Sequence, residues 1–506
     1  MTPSSISRVL VLAVVVTAPA SVEAATHAVP SSVTTVDPSY DGGVQPGDVL
    51  VLEAGQRGTL VLEDLVGDPS APIEVRVDAA TTQATVIDGA GSTWGLEVDH
   101  CEHVVIDGTT SGGPYYGILV TTSADQHHTY VKLRNRSRFI TLRRIEVAGV
   151  YGGNPGIGIS FNDHNIKRVD YPGFWVEGHK VLDCFVHDVG TEGMYLGPNN
   201  QNTDDEPHLR DIEIAYNRVE HTGWDCINPK SWVDGDNSIH HNVLRDCGYR
   251  GTVDGEQASG IPSIAFHGEI YNNWVENTAG RGIVNYGLGI IAYENPDWEA
   301  RIYNNVLVDI GGFGEFEGIK VFTPVEIFNN TIVRTTAEAI YGASIASGLV
   351  HDNLMADAAA GPIRLGGLTE RDNWFGTVAD ARFEDAAMLD FHLTDQSPAY
   401  NAVTEPGFAP FDFDDVARPQ EGAADYGAFE YHVDVGGSGG AGGAGGAGAG
   451  AEGGSGGSGG AAGSTPTGPA TEVADDGGCG CRLVAADRPG AARFALALLG
   501  FALYAG

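Results

Sequence analysis

Basic residues are scarce in this sequence: 28 Lys and Arg stand against 67 Asp and Glu, a formal net charge of −39 over 506 residues. A chain this acidic repels nucleic acid, so a nucleic-acid partner is not expected. No stretch of the body sustains an i, i+3, i+4, i+7 apolar stripe, which sets aside helical bundles and helical solenoids. The body also carries no Gly-x-Ser-x-Gly elbow, phosphate loop or His-Glu-x-x-His site, so the chemistries those motifs mark are missing. Cysteine is sparse. Cys101, Cys184, Cys226 and Cys247 lie in the body and Cys479 and Cys481 near the end, with no Cys-x-x-Cys pair and no zinc spacing. An exported chain can oxidise its thiols, but the irregular spacing of the four body cysteines favours buried free thiols over a disulfide framework.

The two ends read differently from the middle. Arg8 precedes the apolar run Val9–Val16, too short to span a bilayer, and Val22-Glu23-Ala24 supplies small residues for cleavage, so residues 1–24 are expected to be a signal peptide. Residues 436–474 are dominated by Gly, Ala and Ser and are expected to act as a flexible tether. Residues 475–506 hold Gly477-Gly478-Cys479-Gly480-Cys481-Arg482 and then the short apolar run Phe494–Leu503. This order of linker, Gly-Cys pair and apolar tail resembles the C-terminal sorting signal of myxobacterial surface proteins (the MYXO-CTERM type). The resemblance implies processing near the cysteines and attachment to the outer cell surface, although the chain ends on Tyr504-Ala505-Gly506 where such signals carry arginines.

Between these ends, residues 25–435 repeat a phrase. Cys184-Phe-Val-His-Asp188 is followed by versions beginning at Asn217, Asn242, Asn273, Asn305, Asn330 and Asn353, at intervals of 33, 25, 31, 32, 25 and 23 residues. Each version is a short apolar strand followed by a turn. Variable spacing above a fixed minimum suits a solenoid whose coil needs a little over 20 residues and lets extra residues loop out at one corner. Asn suits the left-handed backbone of a sharp bend, and six asparagines at one corner can stack as an amide ladder. A propeller would need periods nearer 40. The expected fold is therefore all-β, a single-stranded right-handed parallel β-helix.

The domain ends carry a resemblance. Gln45–Leu52 and Ala71–Val75 are similar to the opening coils of the pectate-lyase-like β-helix superfamily. Phe391-His392-Leu393-Thr394, Ser397-Pro398-Ala399 and Asp425–Glu430 resemble the closing segment of bacterial right-handed β-helix proteins. The resemblance specifies the fold rather than the reaction, because this scaffold hosts lyases, hydrolases, epimerases and adhesins.

Candidate site residues follow from stacking. Eight residues beyond the ladder position stand Glu192, Asp225, Arg250 and Arg281 in four consecutive coils, and Phe313 ends the charged run in the fifth. Residues at one offset form a column with about 4.8 Å between coils. Two acids and two arginines in one strip suit β-elimination on a uronic-acid polysaccharide: a Ca²⁺ held by Glu192, Asp225 and Asp254, or an arginine fork, neutralises the sugar carboxylate. A base then removes the acidified proton; Lys230 is the expected base, while Arg250 and Arg281 are expected to hold the sugar carboxylates. The run Gly223-Trp224-Asp225-Cys226-Ile227-Asn228-Pro229-Lys230 resembles a Gly-x-Asp-x-x-x-Lys-like stretch of several calcium-dependent β-helix lyases.

Trp224, Tyr249, Tyr286 and Trp232 are expected to stack on sugar rings, with His221, His267 and Glu256 as further polar candidates. Arg134 and Arg136 belong to a run from Lys132 to Arg144 holding six of the 28 basic residues; its alternation predicts charges on one strand face, suited to an anionic polysaccharide. Ion pairing with acids of adjacent coils is the competing account of both charged groups. The paired aspartates and Gly-His-Gly of polygalacturonase-type hydrolases are missing, as Phe266-His267-Gly268 lacks those partners. The sequence thus points to an exported, monomeric, surface-attached protein acting on anionic polysaccharide, with a calcium-assisted lyase leading. A glycan-binding adhesion protein and a uronate epimerase on the same fold are the alternatives.

Overall fold

The computed structural model describes residues 24–123, 128–149, 156–162, 166–198, 206–249, 257–287, 299–405 and 407–432. The segments expected to be a signal peptide (through residue 23), a linker and a sorting signal, together with Arg250, Asp254 and Glu256, lie outside the described residues.

Three parallel sheets of 13, 12 and 14 strands run the length of the body, and the chain visits them in turn. One coil shows the order: Glu213–Ala215 in sheet 1, Arg218–Thr222 in sheet 2, Ile227–Asp234 in sheet 3, then back to sheet 1 at Ser238–His240. Each strand pairs in parallel with its equivalent in the next coil, as Ile214 with Ile239 and Val219 with Leu244. This is the expected parallel β-helix, in which successive parallel strands of one sheet are joined by the right-handed crossover. Alternate side chains point inward and stack by type. Ile214, Ile239, Ile270, Ile302, Ile327 and Val350 form one fully buried row of sheet 1. Burying such aliphatic rows is the main stabilising term of the body.

The amide ladder sits at the corner between sheets 1 and 2. Nδ2 of Asn217, Asn242, Asn273, Asn305 and Asn330 donates to Oδ1 of the asparagine one coil on at 2.9–3.0 Å. Asn353 continues it to Asn373, 20 residues further, so the ladder runs one rung beyond the repeats read in the sequence. Each Oδ1 also accepts the backbone N–H of the preceding rung, as from Asn217 N at 3.0 Å, and Cys184 N–H donates to Asn217 at the start. One expectation is corrected. The left-handed backbone belongs to the residue before each rung, Tyr216, His241, Asn272, Asn304, Asn329 and Asp352, with φ between 50° and 60°. That residue makes the bend, which leaves the asparagine free to turn its amide inward.

The cysteines divide. Cys226 and Cys247 form a disulfide between adjacent coils, whereas Cys101 and Cys184 are buried free thiols. The expectation of free thiols therefore holds for two of the four. Cys226 follows Asp225 directly and Cys247 stands opposite Thr222 in sheet 2, so the inward-facing sulfurs meet although the sequence spacing gives no pattern. At the C-terminal end, the antiparallel pair Phe383–Asp385 and Asp390–Leu393 closes the sheets, and Phe391 and Phe429 are buried in a second core. Nη1 and Nη2 of the fully buried Arg418 donate to the Asp425 and Gly427 carbonyls at 3.1 and 2.9 Å.

Candidate active site

The turn that leads from sheet 2 into sheet 3 recurs as an outward residue, a small inward residue and a buried Met or Ile. Glu192-Gly193-Met194, Asp225-Cys226-Ile227, Ser259-Gly260-Ile261, Arg281-Gly282-Ile283, Glu317-Gly318-Ile319 and Glu338-Ala339-Ile340 stand in register. The small residue is a steric demand: a Cβ on Gly193 would sit 2.4 Å from Val219 Cγ1, and one on Gly282 2.6 Å from the Gly318 carbonyl. The strip predicted from the sequence thus brings Glu192, Asp225 and Arg281 into one column. Two of its members are corrected. Ser259 holds the place expected for Arg250, because this coil carries extra residues before its third strand; Glu317 replaces Phe313 for the same reason, so the charged run continues.

Lys230 stands beyond the column, five residues after Asp225 on strand Ile227–Asp234. It lies in an outward row of sheet 3 with Gly197 before it and Ile264, Tyr286 and Phe322 after it. Gly197 takes a φ of +141°, and a Cβ there would meet Lys230 Cβ at 2.9 Å, so the glycine makes room for the lysine. The ammonium lies 4.0 Å from the centroid of Tyr195 and makes no ion pair among the described residues. Lys230 is 8% exposed and Asp225 1%. Burial lowers the Lys230 pKa to about 8, against the opposing pull of Glu192, Asp225 and Glu206. Burial likewise pushes the Asp225 carboxyl up to about 8; the Ser259 N–H opposes this and the charge of Glu192 adds to it. Asp225 Oδ1 accepts that N–H at 2.9 Å, and Oδ2 accepts from Asn228 Nδ2 at 2.9 Å. The other side-chain atom of Asn228, Oδ1, is buried without a hydrogen-bond partner. A desolvated acid and a desolvated amine of similar proton affinity, each within the other's electrostatic reach, are suited to acid–base chemistry.

Arg281 is differently placed. Its Nε donates to Glu317 at 2.7 Å, its Nη1 to the Tyr286 hydroxyl at 3.4 Å, and its guanidinium lies over Phe316. Lys320 reaches the same carboxylate at 3.0 Å. Burial raises the Glu317 carboxyl, but these two cations outweigh it and hold the group low. Of the expected metal ligands, Glu192 and Asp225 are neighbours in the column. Among the described residues, no group of three His, Cys, Asp or Glu side chains is arranged to hold an ion.

The expected sugar platforms separate. Trp224 is half-buried beside Asp225, Tyr249 is half-buried at the turn of the next coil, and Tyr286 lies two coils beyond Lys230 in its row. Trp232 is corrected: fully buried, it packs on Phe266 and donates to the Leu196 carbonyl at 3.0 Å, out of reach of a substrate. His221 stands on sheet 2, 3.0 Å from Asp246. The basic run does not share one face, because the corner after Arg134 sends its members to two sheets. Arg134 pairs with Glu97 at 2.8 Å and Asp99 at 3.3 Å; Arg136 meets His100 at 2.9 Å and lies over Tyr171. Arg138 and Arg144 likewise face acids, Glu102 and Asp183, at 2.8 and 2.9 Å. Tyr195, Asn228, Ser259 and Glu317 were not singled out from the sequence; the recurring outward–small–Met/Ile phrase is the signal that locates Ser259 and Glu317.

The chain matches no protein-family model and no curated protein. Solved structures similar to it include a lacto-N-biosidase from Eubacterium ramulus, 15% identical over 70% of this chain and 68% of that one, with a TM-score of 0.47. A pectate lyase is 12% identical over 81% and 98%, with a TM-score of 0.37. An alginate lyase from a Paenibacillus species is 13% identical over 69% and 99%, with a TM-score of 0.35.

Proposed function

We propose that this protein cleaves uronic-acid polysaccharides by β-elimination, with Lys230 as the base. The observation that carries the reading is a buried lysine without an ion pair among the described residues, five residues along the same coil from a buried Asp225 whose carboxyl burial pushes up to about 8. As a neutral amine, Lys230 takes the C5 proton beside the sugar carboxylate. The electron pair left behind forms the C4–C5 double bond as the C4–O bond breaks. The Asp225 carboxyl gives its proton to the departing oxygen, and the Lys230 ammonium then returns a proton to the Asp225 carboxylate. Similar proton affinities of the two groups support that last transfer. Arg281 adds positive charge on the side where the substrate carboxylate lies.

Calcium is the alternative to that proton transfer: Glu192, Asp225 as its carboxylate and the unpartnered Oδ1 of Asn228 would hold it, with Asp254 as the further donor expected from the sequence. Water in place of Asp225 would then protonate the departing oxygen. Bound there, the ion would neutralise the uronate carboxylate. The Cys226–Cys247 disulfide supports an exported protein, as does the leader read in the sequence. Display on the outer surface is part of the same proposal.

The test incubates the protein with polygalacturonate, alginate and glycosaminoglycans, with and without a calcium chelator, and follows the ultraviolet absorbance of unsaturated ends. A rise that vanishes in Lys230→Ala supports the lyase. A second reading has one observation in its favour: a carboxyl held neutral one coil from Glu192 is also the acid of a two-carboxylate hydrolase. New reducing ends without absorbance would replace the lyase by that hydrolase. Neither signal on any polymer, with binding retained, would leave a glycan-binding surface protein.

A further inference from the structure

Past the proton-transfer cluster, the outward face of sheet 3 changes character. The Lys230 row continues into Tyr286 and Phe322, whose rings stack with centroids 5.3 Å apart. In the neighbouring outward row, Lys320, Tyr341 and Arg364 occupy three successive coils. Their groups interleave: Lys320 lies 4.8 Å from the Tyr341 ring and 5.7 Å from Phe322, and Arg364 lies 4.9 Å over Tyr341 on its other side. Arg364 is exposed and has no ion pair among the described residues. On a chain of net charge −39 this is an uncompensated cation on an aromatic strip. Tyr286, Phe322, Lys320 and Tyr341 are half-buried, each showing part of its surface. By the coil spacing the strip begins about 10 Å from Lys230 and runs away from it along the helix axis.

We propose that Tyr286, Phe322, Lys320, Tyr341 and Arg364 form a docking platform for an anionic polysaccharide chain, seating sugars on the C-terminal side of the proton-transfer cluster. The proposal rests on the polysaccharide reading above and adds the polarity of binding. The exposed parts of the Tyr286 and Phe322 rings take the apolar faces of successive sugar rings. Tyr341, with cations on both sides, backs Arg364, which takes a sugar carboxylate by charge-assisted hydrogen bonds, while Lys320, paired with Glu317 at 3.0 Å, adds positive potential. Because the groups are spread over several coils, only a chain long enough to reach from Lys230 to Arg364 engages all of them.

The experiment measures calorimetric affinity of the whole protein for oligogalacturonates and oligomannuronates of two to twelve sugars, with cello-oligosaccharides as neutral controls. Wild-type affinity is expected to rise with length for at least one acidic series and not for the neutral one. Arg364→Gln should weaken the longest oligomers roughly tenfold and leave the shortest unchanged. Tyr341→Ala should act in the same direction, and Lys230→Ala should keep the length dependence. Unchanged long-oligomer affinity in both platform variants overturns the platform even where cleavage is intact. Length-dependent binding lost in Arg364→Gln, but without cleavage in wild type, upholds the platform and sinks the lyase. Equal affinity for neutral chains, or no oligomer binding at all, also overturns it.

Discussion

Two columns climb this solenoid at two corners, and they obey opposite rules. At the corner between sheets 1 and 2 the same residue recurs from Asn217 to Asn373, and every amide there is engaged by its neighbours. At the turn into sheet 3 the outward residue varies along the column, Glu192, Asp225, Ser259, Arg281, Glu317 and Glu338, while the small inward residue and the buried Met or Ile after it are kept. A repeated residue answers a demand that every coil makes. A changing one answers a demand made in one place. The ladder therefore reads as architecture and the second column as the place for chemistry, and the variants below test that division.

The largest expected effect lies in the second column. Lys230→Ala removes the proposed base, and turnover on the best polyuronate should fall by about 10³-fold while the unfolding midpoint stays close to wild type. A variant with full activity would remove Lys230 from the mechanism. The ladder should behave in reverse. Asn305→Ala leaves the Asn273 side-chain and backbone donors without their shared acceptor in a fully buried corner, and should cost about 3 kcal/mol in denaturant unfolding. Its activity per folded molecule should be unchanged. Loss of stability below about 1 kcal/mol would mean that water replaces the amide, and the ladder would lose its structural standing.

The same contrast explains what was legible in the sequence. Asn marks the ladder because a buried amide that must accept two N–H groups and donate on either side leaves little choice of residue, so the phrase survives loops of any length. Counting eight residues onward finds Glu192, Asp225 and Arg281, where no extra residues intervene. It fails at Arg250 and Phe313, because the coils of Ser259 and Glu317 carry insertions between the second and third strands. Chain distance then ceases to measure position. Trp232 misled for another reason: strict alternation would set it on the outward side with Lys230, but the left-handed backbone at Ser231 (φ 58°) interrupts the strand and turns the indole inside. The basic run from Lys132 to Arg144 was read as one strand, but a corner interrupts it after Arg134.

The pH dependence of stability gives a smaller and more specific signal. Asp225 holds its proton to about pH 8 in the folded protein, against about 4 for an unfolded chain. Between those values the folded state binds a proton that the unfolded state has released, so stability from this group falls as pH rises from about 4 to about 8. Lys230 has the opposite slope in the next interval. Its folded pKa of about 8 lies below the unfolded value of about 10.4, so stability rises with pH between them. Asp225→Asn should flatten the first limb of a urea-midpoint profile and leave the second in place. An unaltered fall between pH 5 and 8 would show that Asp225 is ionised in the native protein, and its role as proton donor would fail.

The smallest expected effect sharpens the comparison at a third place. Arg134 occupies the same outward row as Lys230, three coils earlier, but its guanidinium is already held between Glu97 and Asp99. Ion pairs of this kind contribute about 0–1 kcal/mol, and a guanidinium engaged by two carboxylates has little charge left for a substrate. Arg134→Ala should therefore shift the unfolding midpoint slightly and leave long-oligomer affinity where it was, in contrast to Arg364→Gln at the other end of the sheet. The two arginines stand in adjacent outward rows of the same sheet, and their neighbours differ. If Arg134→Ala weakens polyuronate binding as much as Arg364→Gln does, then a place on this outward face decides binding whatever the neighbours, and substrate must reach to both sides of Lys230.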